Sequence, residues 1–344
     1  MTIKTRLFPK FKEELTKSLK KSNISLQDKV FVITGTTSGT GFVAARTVAE
    51  YGGIAVLLNR KSKRVDDMVQ KLKQEVPNGK FDIVECDLQS FDSVRKAIQV
   101  IKSKYAKIYC LANNAGIMAT PDEATVDGYD KQMQTNHLSH FLLTAELLPL
   151  LQKEATEFGD ARVVNHSSVG RHHTPRKGLE EKYFQKNGGN LGGNELKLMA
   201  GPCFERYFQT KLANSVFTHG LHELLTQSNV KRNNKIRVIS AHPGGSDTNL
   251  SDHLQFGWLM MKTLNFLMEY VAQTPEDGAM GLIKGMMDPN AESGILYGPN
   301  ERNFMGGTKG KAVPNPPKAY ETDPIAIDML WKTSEAATGV TLSV

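Results

Sequence analysis

Val30-Phe-Val-Ile-Thr34-Gly35-Thr36-Thr37-Ser38-Gly39-Thr40-Gly41 is a β-branched apolar run that breaks into a glycine-rich turn, and residues 42–51 continue with helical character. The run predicts a strand, the glycines a tight loop, and the sequel a helix that starts at the loop. Outward from it the alternation repeats. Strands are expected at Ile54–Leu58, Phe81–Glu85, Ile108–Ala112, Arg162–Asn165 and Ile236–Ala241, and helices at 63–75, 90–103, about 127–152 and about 204–227. Strands bounded by turn residues and separated by helix-length segments require parallel βαβ crossovers. The expected fold is therefore α/β, a doubly wound, mostly parallel sheet with helices on both faces. Two stretches break the rhythm: 170–203, rich in Gly, Lys and Asn, and 245–275, Met-rich and apolar. Both follow strand C-termini, where such sheets bind ligands.

Glycines in the first turn let the backbone approach a pyrophosphate, and the helix N-terminus behind it offers unpaired N–H groups and a positive dipole end. In this strand–turn–helix setting Gly35, Thr37, Ser38, Gly39, Thr40 and Gly41 read as a dinucleotide cradle in a Rossmann-type domain; structural punctuation is the alternative. The second strand ends at Asn59-Arg60, the place where an acid would accept from a ribose 2′-OH. No acid stands there, and Arg60 with Lys61, Lys63 and Arg64 would instead meet a 2′-phosphate. NADP(H) is the expected cofactor, with a solvated basic loop as the alternative. After the third strand Asp87, followed by Leu88, could accept from an adenine amino group. The small residues of Asn113-Asn114-Ala115-Gly116 would let the chain pass beneath a cofactor, although each motif alone is an ordinary turn.

Tyr207 and Lys211 fall four residues apart on an expected helix, so phenol and ammonium project from one face. With Ser168 at the end of Val163-Val-Asn-His-Ser-Ser168 they form a coherent site. The ammonium would lower the phenol's pKa so that Tyr207 donates a proton near neutral pH, while Ser168 polarises a carbonyl.

Taken in order, the Thr34–Gly41 turn, Asp87, the NNAG of 113–116, Asn136, Ser168, the Tyr207–Lys211 pair and Pro243-Gly244 resemble the short-chain dehydrogenase/reductase family over about residues 28–250. Residues 135–144 (TNHLSHFLLT), 211–214 (KLAN) and 242–244 (HPG) are similar to the branch holding retinol dehydrogenases, WW-domain oxidoreductases and light-dependent protochlorophyllide reductases. The resemblance implies a catalytic tetrad of Asn136, Ser168, Tyr207 and Lys211, with Asn136 holding a proton-relay water and Lys211 also gripping the nicotinamide ribose. It places Pro243 and Gly244 beside the nicotinamide and Thr248 near its carboxamide. The protochlorophyllide reductases usually carry cysteine where this chain has Asn113 and Gly245, so their photochemistry is not expected. The implied activity is hydride transfer between NADP(H) and a carbonyl or alcohol. The rival is a nucleotide-binding regulatory or scaffold protein with incidental catalysis.

The remaining expectations concern what surrounds that chemistry. Residues 254–271 are apolar on more than one helical face, which suits a bulky lipophilic carbonyl or alcohol substrate under a lid at 245–275; burial against 276–287 is the alternative. Five of the seven net positive charges lie in residues 1–29, and no basic stripe follows, so nucleic acid is not an expected partner. Residues 1–27 form a basic arm ahead of the 28–344 domain. Its Leu7, Phe11, Leu15 and Leu19 recur every fourth residue, which fits a helix on an anionic membrane, a helix packed on the domain, or a frayed extension. Cys86, Cys110 and Cys203 form neither a disulfide framework nor a zinc pair, and His172-His173 lacks companions at ligand spacing, so no metal is expected. A reducing, cytoplasmic setting, with peripheral membrane contact through the arm as the open question, fits these residues. The long separation of Ser168 and Tyr207 points to a monomer over a dimer.

Overall fold

The computed structural model describes residues 10–197, 199–245, 273–302 and 307–344. Among them eight strands form one sheet: β1 (Val30–Thr34), β2 (Ile54–Asn59), β3 (Lys80–Glu85), β4 (Cys110–Asn113), β5 (Ala161–His166), β6 (Ile236–Ala241), β7 (Leu296–Gly298) and β8 (Val313–Asn315). Their order is β3-β2-β1-β4-β5-β6-β7-β8, parallel throughout except for β7 against β8. All of β1 and β5 is buried, as the continuous Val/Ile runs require of strands covered on both faces.

The helices are α1 (Lys10–Ser22), α2 (Gly39–Glu50), α3 (Lys63–Glu75), α4 (Phe91–Lys104), a single turn α5 (Lys131–Met133), α6 (Ser139–Phe158), α7 (Pro202–Gln227), the short α8 (Pro275–Gly278), α9 (Met280–Met287) and α10 (Pro324–Thr338). One apolar core joins α4, α6, α7 and α10 to one face of the sheet, and a second joins α1, α2, α3 and α9 to the other. Strand order reverses between β1 and β4, so a crevice opens above the C-terminal ends of these two strands.

Two departures from the expected pattern, and the outcome for the basic arm, follow from local chemistry or distant contacts. The helix expected over about 127–152 begins where the Asp130 side chain accepts from Met133 N (2.8 Å), passes through a π-helical turn at Gln134–Leu138, and ends at Gly159 with φ 75°. That turn carries Asn136, and π-bulges inside helices are frequent at functional sites. Within the basic arm the packed-helix reading holds for α1, which buries Leu15 and Leu19 in the core beneath β1 and β2, while Ser18 donates to Asp288 (2.9 Å). The second departure is the C-terminal part: β7, β8 and α10 lie past the elements read from the sequence. Trp331 of α10 packs on Phe217 and Phe141 at centroid distances of 5.4 and 5.9 Å.

Candidate active site

A cleft of about 340 Å³ lies over the C-terminal ends of β1, β2, β4 and β5. Its walls bring together Gly35, Thr37, Ser38, Gly39 and Thr40 of the turn, Asn59 and Arg60 at the end of β2, Asp87 and Leu88 after β3, Asn114–Gly116 after β4, and Tyr207, Lys211 and Pro243.

The glycine end is backbone laid on backbone. A Cβ on Gly41 would stand 2.2 Å from Gly35 O and 2.5 Å from Asn114 Nδ2, and one on Gly35, at φ +70°, would meet Ala115 at 2.8 Å. Asn114 ties this floor together, donating from Nδ2 to Thr34 O (2.8 Å) and Gly35 O (3.1 Å) and accepting from Thr40 Oγ1 (2.9 Å). Ser38 begins α2 without a side-chain cap, and no acidic residue stands in that helix's first turn. Such an N-terminus attracts an anion. Asn59 braces the same turn, accepting from Thr36 N (2.9 Å) and donating to Thr36 Oγ1 (2.7 Å), whereas Arg60 and Arg64 stand exposed on the rim. One Asp87 carboxylate oxygen accepts from Gln89 N (3.0 Å). The side-chain-free floor, the anion-ready helix end and the exposed guanidinium groups fit a phosphorylated dinucleotide.

The other end is buried. Tyr207 and Lys211, one helical turn apart on α7, are 5% and 4% exposed, with Nζ 5.6 Å from the ring centroid. Lys211 Nζ donates to His166 O (3.1 Å), and burial pushes its pKa down to about 8. Burial pushes the Tyr207 phenol up to about 12, with a hydrogen bond to Ser168 pulling the other way. The protein matrix alone therefore does not bring the phenol's pKa near neutral pH: desolvation dominates, and the opposing influence is Ser168 and not the Lys211 expected from spacing. Ser168 Oγ accepts from Gly170 N (3.1 Å).

Asn136 sits behind Gly116, fully buried. Its side chain is spent on the Ile117 backbone and the Thr210 hydroxyl, accepting from Ile117 N (2.8 Å) and donating to Ile117 O (2.9 Å) and Thr210 Oγ1 (2.9 Å). Its own carbonyl accepts from His140 Nδ1 (3.0 Å), and His140 Nε2 meets Thr34 Oγ1 at 2.9 Å. The Thr34 hydroxyl also accepts from Asn114 N (3.0 Å) and Ala115 N (2.9 Å), so one chain of bonds runs from Asn136 to the floor of the cleft. Gly244 N donates to His242 Nδ1 (3.1 Å). Thr248, Trp258, Met261 and most of the candidate lid lie outside the described residues, which resume at Gln273.

Sequence reading missed the support behind Ser168. Arg171, 1% exposed, donates to Ser168 O (3.0 Å) and pairs with Glu301 (2.7 Å) and Glu321 (2.5 Å). His172 bridges Glu301 and Tyr320, and His242 Nε2 lies 3.3 Å from Glu301. Glu301 and Glu321 follow Arg171 by 130 and 150 residues, so no local signal joins them. His140 and His166 were the readable omissions, since both fall inside quoted motifs.

The profile described as short chain dehydrogenase matches residues 29–178. Human polyprenol dehydrogenase is 29% identical over 317 residues, covering 91% of this chain and 86% of that protein. Human retinol dehydrogenase 11 is 30% identical over 271 residues, 79% of this chain and 76% of that protein. Among solved structures, a crystal structure of an uncharacterised protein from Mycobacterium paratuberculosis is 27% identical with a TM-score of 0.69, covering 93% of this chain and 97% of that one.

Proposed function

We propose, from the premise that this chain belongs to the short-chain dehydrogenase/reductase family and is an oxidoreductase of CH–OH and C=O groups, that it is an NADP(H)-dependent carbonyl reductase or alcohol dehydrogenase for a bulky lipophilic substrate. The observation that carries this reading is that Tyr207 and Lys211 line the same cleft as the glycine-rich turn and Arg60. When bound, a nicotinamide dinucleotide supplies the hydride. Gly35–Gly41 and the α2 N-terminus would hold its phosphates, Arg60 and Arg64 the 2′-phosphate, Asp87 and Leu88 the adenine side, and Lys211 the nicotinamide ribose.

Tyr207 gives its proton to the carbonyl oxygen, and its high pKa keeps the proton in place until charge develops there. Ser168 donates to the same oxygen and stabilises the developing anion. Lys211, charged below about pH 8, makes the loss of the tyrosine proton easier. Asn136 is a positioning residue: through His140 and Thr34 it holds the cleft floor in place.

Relatives named for retinol and polyprenol favour a long apolar substrate, as do the methionines and phenylalanines of 254–271. A monomer is favoured by α10, which covers the tyrosine helix so closely that a Cβ on Gly220 would stand 2.7 Å from Trp331. Among the described residues no helix is long and apolar enough to cross a membrane, and α1 spends Leu15 and Leu19 on the domain; contact with a membrane surface would fall to the polar face of the arm.

Oxidation of NADPH in the presence of retinal-like, long-chain and short polar carbonyls tests the reading. The expected result is consumption with the lipophilic carbonyls. NADPH binding without turnover on any carbonyl would favour the regulatory alternative.

A further inference from the structure

His166 ends β5 two residues before Ser168 and forms part of the cleft wall, yet it is only 7% exposed. Its tautomer is dictated by the backbone. Asn114 Nδ2 lies 2.8 Å from Thr34 O and 3.1 Å from Gly35 O, atoms that can only accept. The amide's oxygen must then be the atom turned toward His166 Nδ1, 2.9 Å away, and Thr40 Oγ1 donates to that same oxygen. Nδ1 therefore carries the hydrogen. In the neutral ring Nε2 is left as a bare acceptor, buried and without a hydrogen-bond partner among the described residues. The ring is held neutral by burial first and then by Lys211, with His242 and His140 adding to the effect, which together push its pKa down to about 3.

Apart from Asp87 at the adenine side, the charged groups along this cleft are donors. Lys211, Arg60 and the α2 N-terminus all offer donors suited to anions. Lys211 Nζ binds the backbone carbonyl of His166, and its charge acts on the ring, so the imidazole, seated on Asn114, stands on the Lys211 side of the cleft. The donors that a dinucleotide carries at that end are the nicotinamide ribose hydroxyls and the carboxamide N–H. We infer that His166 Nε2 accepts a hydrogen bond from the nicotinamide half of the bound cofactor and so sets that half in register with Tyr207 and Lys211. The inference rests on the dinucleotide reading above.

Binding titrations separate the two. Wild type and His166→Phe, which keeps the ring and leaves Asn114 Oδ1 its bond from Thr40, are each titrated with NADPH, with the 2′-phosphorylated ADP-ribose that lacks nicotinamide, and with 2′,5′-ADP that lacks the whole nicotinamide half. The expected result is a Kd for NADPH raised about tenfold with 2′,5′-ADP unchanged. If the loss persists with the phosphorylated ADP-ribose, a ribose hydroxyl is the donor; if it vanishes there, the carboxamide is. His166→Gln, which restores an acceptor, is expected to recover part of the affinity. Equal weakening of all three ligands would make His166 a mere prop for Asn114 and overturn the inference, as would an unchanged Kd for NADPH. Wild type that binds none of the three would sink the dinucleotide reading, and the inference with it.

Discussion

At the glycine-turn end of the cleft the charged side chains Arg60 and Arg64 stand in solvent, whereas at the other end Tyr207, Lys211 and His166 are each less than 10% exposed. The first end is built mostly of neighbouring pieces, a turn, a helix start and the next two strand ends, with Asn114 from 80 residues on as its tie. The second is assembled from α7, β5, the 168–172 segment and side chains up to 150 residues further along the chain. The difference teaches where each kind of selectivity resides. Exposed cations at the rim discriminate by long-range charge, which salt screens. Buried groups at the proton-transfer end act through fixed protonation states, which burial sets and neighbours must hold.

The strongest way to break this comparison is at Arg171. Its guanidinium pairs with both Glu301 and Glu321 inside the protein, so Arg171→Leu strips two buried carboxylates of that cation, leaving only His172 and His242 beside Glu301, and is expected to lower stability by about 3–5 kcal/mol in urea unfolding. A change below about 1 kcal/mol would mean that the buried end is not held by this network. The matching change at the open end is Arg60→Ala. It should raise the Kd for NADPH about tenfold, as loss of one charge-assisted bond does, and leave NADH binding and stability unchanged. Equal losses for both cofactors would show that Arg60 does not read the 2′-phosphate.

A smaller effect sharpens the buried end. Lys211 is charged below about pH 8 and neutral above it, so kcat/KM for carbonyl reduction should fall as pH rises through that value, about tenfold per unit beyond it. Lys211→Arg, whose guanidinium stays protonated, should remove the fall from whatever activity it retains. A wild-type profile that stays flat from about pH 7 to 9 would show that the ammonium charge is not required.

The same contrast explains what the sequence let one read. The βαβ alternation from β1 to β6, the glycine turn and the Tyr207–Lys211 pair declare themselves within a few residues, because strand runs, turn glycines and helical spacing are local signals. β7 and β8 are three residues each, and Pro314 interrupts the second, so neither has room for a periodic pattern. α10 was readable in principle: Asp323 caps it, Pro324 opens it, and Gly339 closes it at φ 67°. The π-turn at Asn136 was not, because residues 132–144 are buried on every side and leave no apolar stripe in which one extra residue would show. Least legible was the network behind Ser168, since partners more than a hundred residues apart meet only after the sheet has formed.

The central claim is that Tyr207 gives the proton at the end of a cleft that holds NADPH. Tyr207→Phe keeps the ring in its buried seat and removes the hydroxyl, so NADPH titration paired with single-turnover reduction of a lipophilic aldehyde tests the claim directly. The account predicts an unchanged Kd for NADPH and a rate lower by about 10² or more; a variant that binds NADPH and reduces the aldehyde at the wild-type rate would contradict it.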